Sequence, residues 1–194
     1  MKRICVFCGS ARGSRPAYAE AARDLARVLA KRRIGLVYGG GSVGTMGVLA
    51  DTALAEGTEV IGVIPRGLAS RELVHTSVRD MRIVESMHDR KALMASLADG
   101  FVALPGGLGT LEETLEILTW AQLGIHPKPV GLLNVAGYWD RLLEMLAHAE
   151  REGFLTSGHT ALLLAGRTAE GLLDQLTTWQ PPAFAHVWLD PSQT

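Results

Sequence analysis

The chain has 194 residues, 47% of them hydrophobic, and a formal net charge of -1 from 19 basic and 20 acidic side chains. One domain fits this length, since domains commonly run about 50 to 250 residues, and the apolar content is too high for a disordered chain. Balanced charge excludes a surface built to hold an extended polyanion, because nucleic-acid affinity rests on neutralising phosphates, but it leaves room for a small anionic ligand.

The chain opens Met1-Lys2-Arg3, and the apolar stretch Ile4 to Cys8 then stops at Gly9-Ser10. A signal-peptide core needs about 7 to 15 apolar residues and a membrane helix about 18 or more, so a cytoplasmic protein with no membrane partner is expected. Cys5 and Cys8 stand three apart on the first expected strand, which points them to opposite faces. No further Cys/His pair completes a zinc site, so both read as buried strand cysteines and no metal is expected.

Strands are expected at Ile4–Cys8, Gly35–Tyr38, Val60–Ile64, Met81–Val84, Phe101–Leu104, Val130–Leu133 and Ala161–Leu164. Helical patterns lie between them, over Tyr18–Arg32, Met46–Glu56, Met87–Ala98, Leu111–Leu123, Trp139–Glu152 and Ala169–Thr178. Alternation of this kind, with strands apolar throughout, indicates a parallel sheet covered by helices on both faces. The expected architecture is a single doubly wound, Rossmann-like α/β domain over residues 1–180, with a mostly parallel sheet of six or seven strands. The Pro-containing segment 181–194 reads as an irregular tail. Ligands of such sheets sit at the carboxyl ends of the strands, so the turns that follow strands are where chemistry belongs. The longest irregular connection, Pro65 to Ser77, is on that side, and loops of about 12 residues or more in compact domains are usually functional or disordered.

The 22 glycines exceed an average usage of about 7%. Eight of them fall in three post-strand turns: Cys8-Gly9-Ser10, Gly39-Gly40-Gly41-Ser42-Val43-Gly44 and Pro105-Gly106-Gly107-Leu108-Gly109-Thr110. Glycine admits close approach to backbone amides, and amides opening a helix form an anion site. Tight turns need glycine in any case, which suffices for Gly9 alone; two triple-glycine turns together point to a phosphorylated ligand. Gly39 to Gly44 fits G-x-G-x-x-G with Glu59 downstream, but a dinucleotide fingerprint follows the first strand and ends with its acid near the end of the next. Here the glycines follow the second strand and Glu59 opens the third, at the opposite edge from the ligand. A P-loop sequence is absent.

Two clusters of charge need explanation. Ser86-Met87-His88-Asp89-Arg90-Lys91 opens a helix with adjacent cations that oppose its dipole. Asp89 offsets one of them, and an anion at the ligand edge would compensate both Arg90 and Lys91. His88 reads as a polar surface residue. Thr110-Leu111-Glu112-Glu113 opens another helix, and two accounts stand: Thr110 and Glu113 form a capping box, or Glu113 contacts a hydroxyl-bearing part of the ligand.

The stretch Pro105-Gly106-Gly107-Leu108-Gly109-Thr110-Leu111-Glu112-Glu113 carries P-G-G-x-G-T-x-x-E, and Met87-His88-Asp89-Arg90-Lys91 lies upstream. With both motifs the chain closely resembles the LONELY GUY (LOG) family of cytokinin riboside 5′-monophosphate phosphoribohydrolases, from about Ile4 to Phe154. The resemblance implies hydrolysis of the N-glycosidic bond of a nucleoside 5′-monophosphate, N6-modified adenosine monophosphates included, to free base (cytokinin or adenine) and ribose 5-phosphate. It implies no cofactor, and a homodimer with sites close to the interface. Carried over by motif, Arg90 and Glu113 correspond to the catalytic pair. Lys91, Gly107, Leu108, Gly109 and Thr110 correspond to substrate contacts, Glu72 matches a substrate-binding acid by its spacing from Arg90, and Gly9, Ser10, Gly40 and Gly41 belong to the other turns expected around the nucleotide. Leu93 stands where many relatives have Glu, a change expected to alter only the helix surface.

Glycosidic cleavage passes through an oxocarbenium-like state that a carboxylate stabilises while positioning hydroxyls or activating water, a role that suits Glu113. Arginine stays protonated, so Arg90 either binds phosphate or stabilises charge on the leaving base. Two rivals remain: a pyridoxal phosphate-dependent lysine decarboxylase, for which only Lys91 is well placed, and a non-catalytic nucleotide-binding carrier or sensor.

Overall fold

A computed structural model describes residues 1–69 and 73–182. Seven strands form one parallel sheet in the order β4-β3-β2-β1-β5-β6-β7. They are β1 (Arg3–Phe7), β2 (Gly35–Tyr38), β3 (Val60–Pro65), β4 (Asp80–Val84), β5 (Gly100–Ala103), β6 (Val130–Leu133) and β7 (Leu163–Gly166). The five inner strands are almost wholly buried, as their unbroken apolar runs require of a sheet covered on both faces. The edge strands β4 and β7 are partly exposed, and β4 carries the Asp80–Arg82 ion pair, a charged edge that discourages pairing with another chain.

Among the described residues eight α-helices surround the sheet: α1 (Pro16–Lys31), α2 (Gly44–Ala55), the single turn α3 (Arg66–Ala69), α4 (Met87–Leu97), α5 (Leu108–Gln122), α6 (Asp140–Arg151), the single turn α7 (Ser157–Thr160) and α8 (Ala169–Thr178). One core packs α1, α2 and α8 on one face, and a second packs α4, α5 and α6 on the other. Cys8 belongs to the first and Cys5 to the second, and both are free thiols. Leu93, expected to affect only the helix surface, is half-buried against the second core. Among the described residues no helix is long and apolar enough to cross a membrane.

Local chemistry explains most element ends. Pro16 opens α1 with a φ already suited to a helix, and Ser86 with Asp89 forms a capping box on α4. The seventh strand starts at Leu163 rather than Ala161, because a Thr156–His159 capping box turns the preceding residues into α7. Past the end of α1, Arg33 has φ +56, and the Ile34 amide reaches back to the Leu29 carbonyl at 2.9 Å, the Schellman arrangement that glycine favours. Arg33→Gly is therefore expected to stabilise the fold by about 0.5 to 1 kcal/mol, raising Tm by about 1 to 4 °C in a calorimetric melt.

The strand order reverses direction between β1 and β5, so the turns leaving these two strands diverge and open a crevice between them. Open parallel sheets bind ligands at such switch points. Glu59 lies at the far end of the sheet, paired with Arg3 at 2.8 Å, as expected of an acid outside the ligand edge.

Candidate active site

A cavity of about 370 Å³ occupies this crevice, walled by the turns after β1, β2 and β5 and by the segment that follows β3. The turns lock together through their backbones. Thr45 donates to the Gly9 carbonyl through both its amide and its hydroxyl, each at 3.0 Å. Gly44 has φ +64, and a Cβ there would fall 2.3 Å from the Ser10 carbonyl carbon, so only glycine lets the β2 turn press against the β1 turn.

Arg90 and Glu113 meet at the cavity wall. Arg90 Nη1 donates to Glu113 Oε1 at 2.6 Å, Arg90 Nε donates to the Val63 carbonyl at 3.1 Å, and both residues are buried. Burial pushes the Glu113 carboxyl above its usual range, against the opposing charge and hydrogen bond of Arg90. Arg90 Nη2 lies 2.1 Å from where a Cβ of Gly39 would stand. Gly39→Ala is thus expected to push the guanidinium off Glu113 while leaving a tolerable backbone, lowering kcat about tenfold or more in a steady-state assay with a smaller change in Tm.

Helix α5 starts at Leu108 with Gly107 as N-cap and no side-chain cap. Thr110 is therefore the third helical residue and not a cap. The expected Thr110–Glu113 capping box does not form, because the helix begins earlier and Glu113 is taken by Arg90. Packing of the Thr110 side chain requires a small residue at Gly106, where a Cβ would fall 2.1 Å from Thr110 Oγ1. Gly107 and Gly109 differ: a Cβ at either would meet nothing within 4 Å among the described residues. Internal packing does not demand glycine there, whereas a ligand resting on the uncapped amides would.

An apolar wall faces the ion pair, made by Val43 and Met46 beside α2, Ile64 on β3, Leu68 on α3 and Leu73. Leu73 is held in place by backbone bonds: its carbonyl accepts from the Ser42 amide at 2.9 Å, and the His75 amide donates to the Gly40 carbonyl at 3.0 Å. Sequence reasoning missed these wall residues; for Leu68 and Leu73 the signal was the position of the Pro65–Ser77 connection on the ligand side. Cys8 also lines the cavity, but burial pushes its thiol up to about 12, so it stays protonated and is a poor nucleophile.

The cavity gathers Arg90, Glu113, Gly9, Ser10, Gly41, Gly107, Leu108, Gly109 and Thr110. Gly40 supports it from behind, with φ +75. Lys91 turns away: its Nζ binds Glu112 at 2.5 Å and Glu116 at 2.8 Å in a groove between α4 and α5. Burial alone would lower its pKa, but the hydrogen bonds to the two glutamates outweigh this and raise it. The cations of this segment are compensated by carboxylates rather than by a ligand. His88 is exposed. Glu72 lies outside the described residues. Two slightly larger grooves, about 460 Å³ between α1 and α8 and about 450 Å³ between α4 and α5, lack a buried catalytic-type pair.

A family profile described as "Possible lysine decarboxylase" matches residues 46–176. A probable cytokinin riboside 5′-monophosphate phosphoribohydrolase of Oryza sativa subsp. japonica (LOGL3) is 51% identical over 180 residues, covering 93% of this chain and 85% of that protein. A cytokinin riboside 5′-monophosphate phosphoribohydrolase of Arabidopsis thaliana (LOG7) is also 51% identical over 180 residues, covering 93% and 83%. Among solved structures, a molybdenum cofactor binding protein from Rippkaea orientalis superposes with TM-score 0.68 at 21% identity, over 92% of this chain and 97% of that one, a likeness of fold alone.

Proposed function

The chain belongs to the LOG family of cytokinin riboside 5′-monophosphate phosphoribohydrolases, and on that premise we propose that the crevice between β1 and β5 cleaves the N-glycosidic bond of N6-modified adenosine 5′-monophosphates. The products are free base and ribose 5-phosphate. The carrying observation is a buried Arg90–Glu113 pair that shares one cavity with the uncapped, glycine-bounded start of α5. The 5′-phosphate rests on the amides of Gly107 to Thr110, where the dipole of α5 favours negative charge. That remote contact fixes the ribose against Glu113. As carboxylate, Glu113 stabilises the oxocarbenium-like ribose and orients the attacking water or a ribose hydroxyl. Arg90 holds Glu113 in place and opposes the effect of burial on its carboxyl, and the apolar wall receives the base. We keep Glu72 as a further substrate contact on the strength of the motif match.

A pyridoxal phosphate-dependent decarboxylase, as the profile's description suggests, needs a free amine nucleophile. Among the described residues the cavity lining contains no lysine, and Lys91 is held by two carboxylates in the adjoining groove. We assign Lys91 to bracing α4 against α5, so Lys91→Met is expected to lower kcat/KM by less than about tenfold in the same assay, far less than changes at Arg90. Incubation with AMP and with N6-prenylated AMP, followed by quantification of free base and ribose 5-phosphate, tests the main reading; binding without either product would support a carrier instead.

We further propose a cytoplasmic homodimer. Two free buried thiols suit a reducing compartment. On α5, Ile117 and Ala121 face the core, while Leu115 is 39% exposed and Leu111 and Leu118, one turn to either side of it, are half-buried, leaving an apolar face that a second copy would cover. Leu115→Glu is expected to shift the species to monomer in light scattering coupled to size exclusion.

A further inference from the structure

The connection after β6 holds a non-glycine residue in a left-handed conformation. Within the 3-10 turn Val135–Gly137, Ala136 has φ +51, a left-handed conformation that favours glycine, and Gly137 follows with φ +74. Buried Asn134 holds the turn: its Oδ1 accepts from the Trp139 amide at 2.9 Å, its Nδ2 donates to Asp140 Oδ1 at 2.7 Å, and its amide donates to the Gly166 carbonyl at 2.7 Å. Trp139 is anchored in the second core. The residue that this arrangement delivers to the crevice is Tyr138, whose hydroxyl donates to the Gly106 carbonyl.

Tyr138 is 38% exposed, so burial is a weak reason for its position. Its ring meets Tyr18 edge-on at 5.9 Å and Trp139 at 4.9 Å, contacts that orient the phenol without involving its oxygen. Gly106 packs against Thr110, but the Gly107 Cβ direction is open, and neither residue has a side chain to hold the peptide between them. Such a turn has many conformations to lose when a phosphate settles on it. Holding it beforehand lowers the ordering cost of binding.

We propose that Tyr138 is a positioning residue for the phosphate cradle, fixing the Gly106–Gly107 turn through its hydroxyl. It lines a recess beside the reaction cavity, with Ser10, Arg12 and Tyr18, and does not line the cavity itself. The inference rests on the proposed hydrolase reading and adds a residue to it.

Tyr138→Phe tests the idea, because it keeps the ring and its two aromatic contacts and removes one oxygen. KM for the nucleoside monophosphate is expected to rise about fivefold, equivalent to about 1 kcal/mol, with kcat within about twofold of wild type. Competitive inhibition by ribose 5-phosphate should weaken by the same factor, and the thermal melt should be unchanged, which separates positioning from loss of structure. A folded Tyr138→Phe protein with wild-type KM and wild-type inhibition by ribose 5-phosphate would overturn the proposal, as would a fall in kcat alone. Wild-type protein that releases no base from any nucleotide would instead overturn the hydrolase reading.

Discussion

Glu113→Ala is expected to lower kcat/KM for base release by about a thousandfold, within the range of about 10² to 10⁴ found for a positioned acid or base, with the fall mostly in kcat. The substitution leaves Arg90 beside a vacated, water-accessible space, so the melting temperature must be followed in parallel. Glu113→Gln preserves an acceptor for Arg90 while removing the charge, and it should be as inactive as the alanine variant. If Gln retained most of the activity, the carboxylate would have no chemical part. The pH profile supplies a second check. The reactive form is the carboxylate, and burial raises the carboxyl above its usual range, so activity should fall with acidification at a pH higher than the ordinary glutamate value of about 4.3.

Changes at Arg90 rank next. Arg90→Lys keeps a positive charge but replaces a planar fork by a point charge, which cannot reproduce the contacts to Val63 and Glu113 together. We expect a loss of about a hundredfold in kcat/KM, comparable with removing one stabilising donor from a preorganised site. Arg90→Ala should lose more and should also move the acid limb of the pH profile further up, because the charge that opposes burial at Glu113 is gone. An unchanged limb in Arg90→Ala would mean that Arg90 does not control the ionisation of Glu113. Destabilisation should stay below the about 3 to 5 kcal/mol of a sealed ion pair that loses one partner, since the cavity admits water.

Much of the frame was legible in the residues themselves. The spans Gly35–Tyr38, Val130–Leu133 and Ala169–Thr178 coincide with β2, β6 and α8, because apolar runs there end at Gly, Pro or a capping Thr. The post-strand rule also placed Arg90 and Glu113 at one edge although 23 residues separate them. Helical phase was harder to see. Successive residues on a helix point about 100° apart, and here Arg90 and Glu113 reach the cavity while Lys91 and Glu112 are turned to the adjoining surface. Arg90 pairs with Glu113 and Lys91 with Glu112, two rungs between α4 and α5. A one-dimensional reading placed all four near the ligand and assigned the two cations to an anion there, without seeing that they pair with the two carboxylates. The single-turn helices α3 and α7 escaped for a different reason: four residues carry too little periodicity to register.

The wall and the ion pair come from different parts of the chain. Val43, Met46, Ile64, Leu68 and Leu73 come from the β2–β3 side of the crevice, whereas Arg90 and Glu113 ride on α4 and α5. The β2–β3 backbone braces Arg90 through the Val63 carbonyl and the space at Gly39, but the wall's side chains are separate from that brace, so such a scaffold can diversify in evolution by changing which base it accepts while the bond it breaks stays the same.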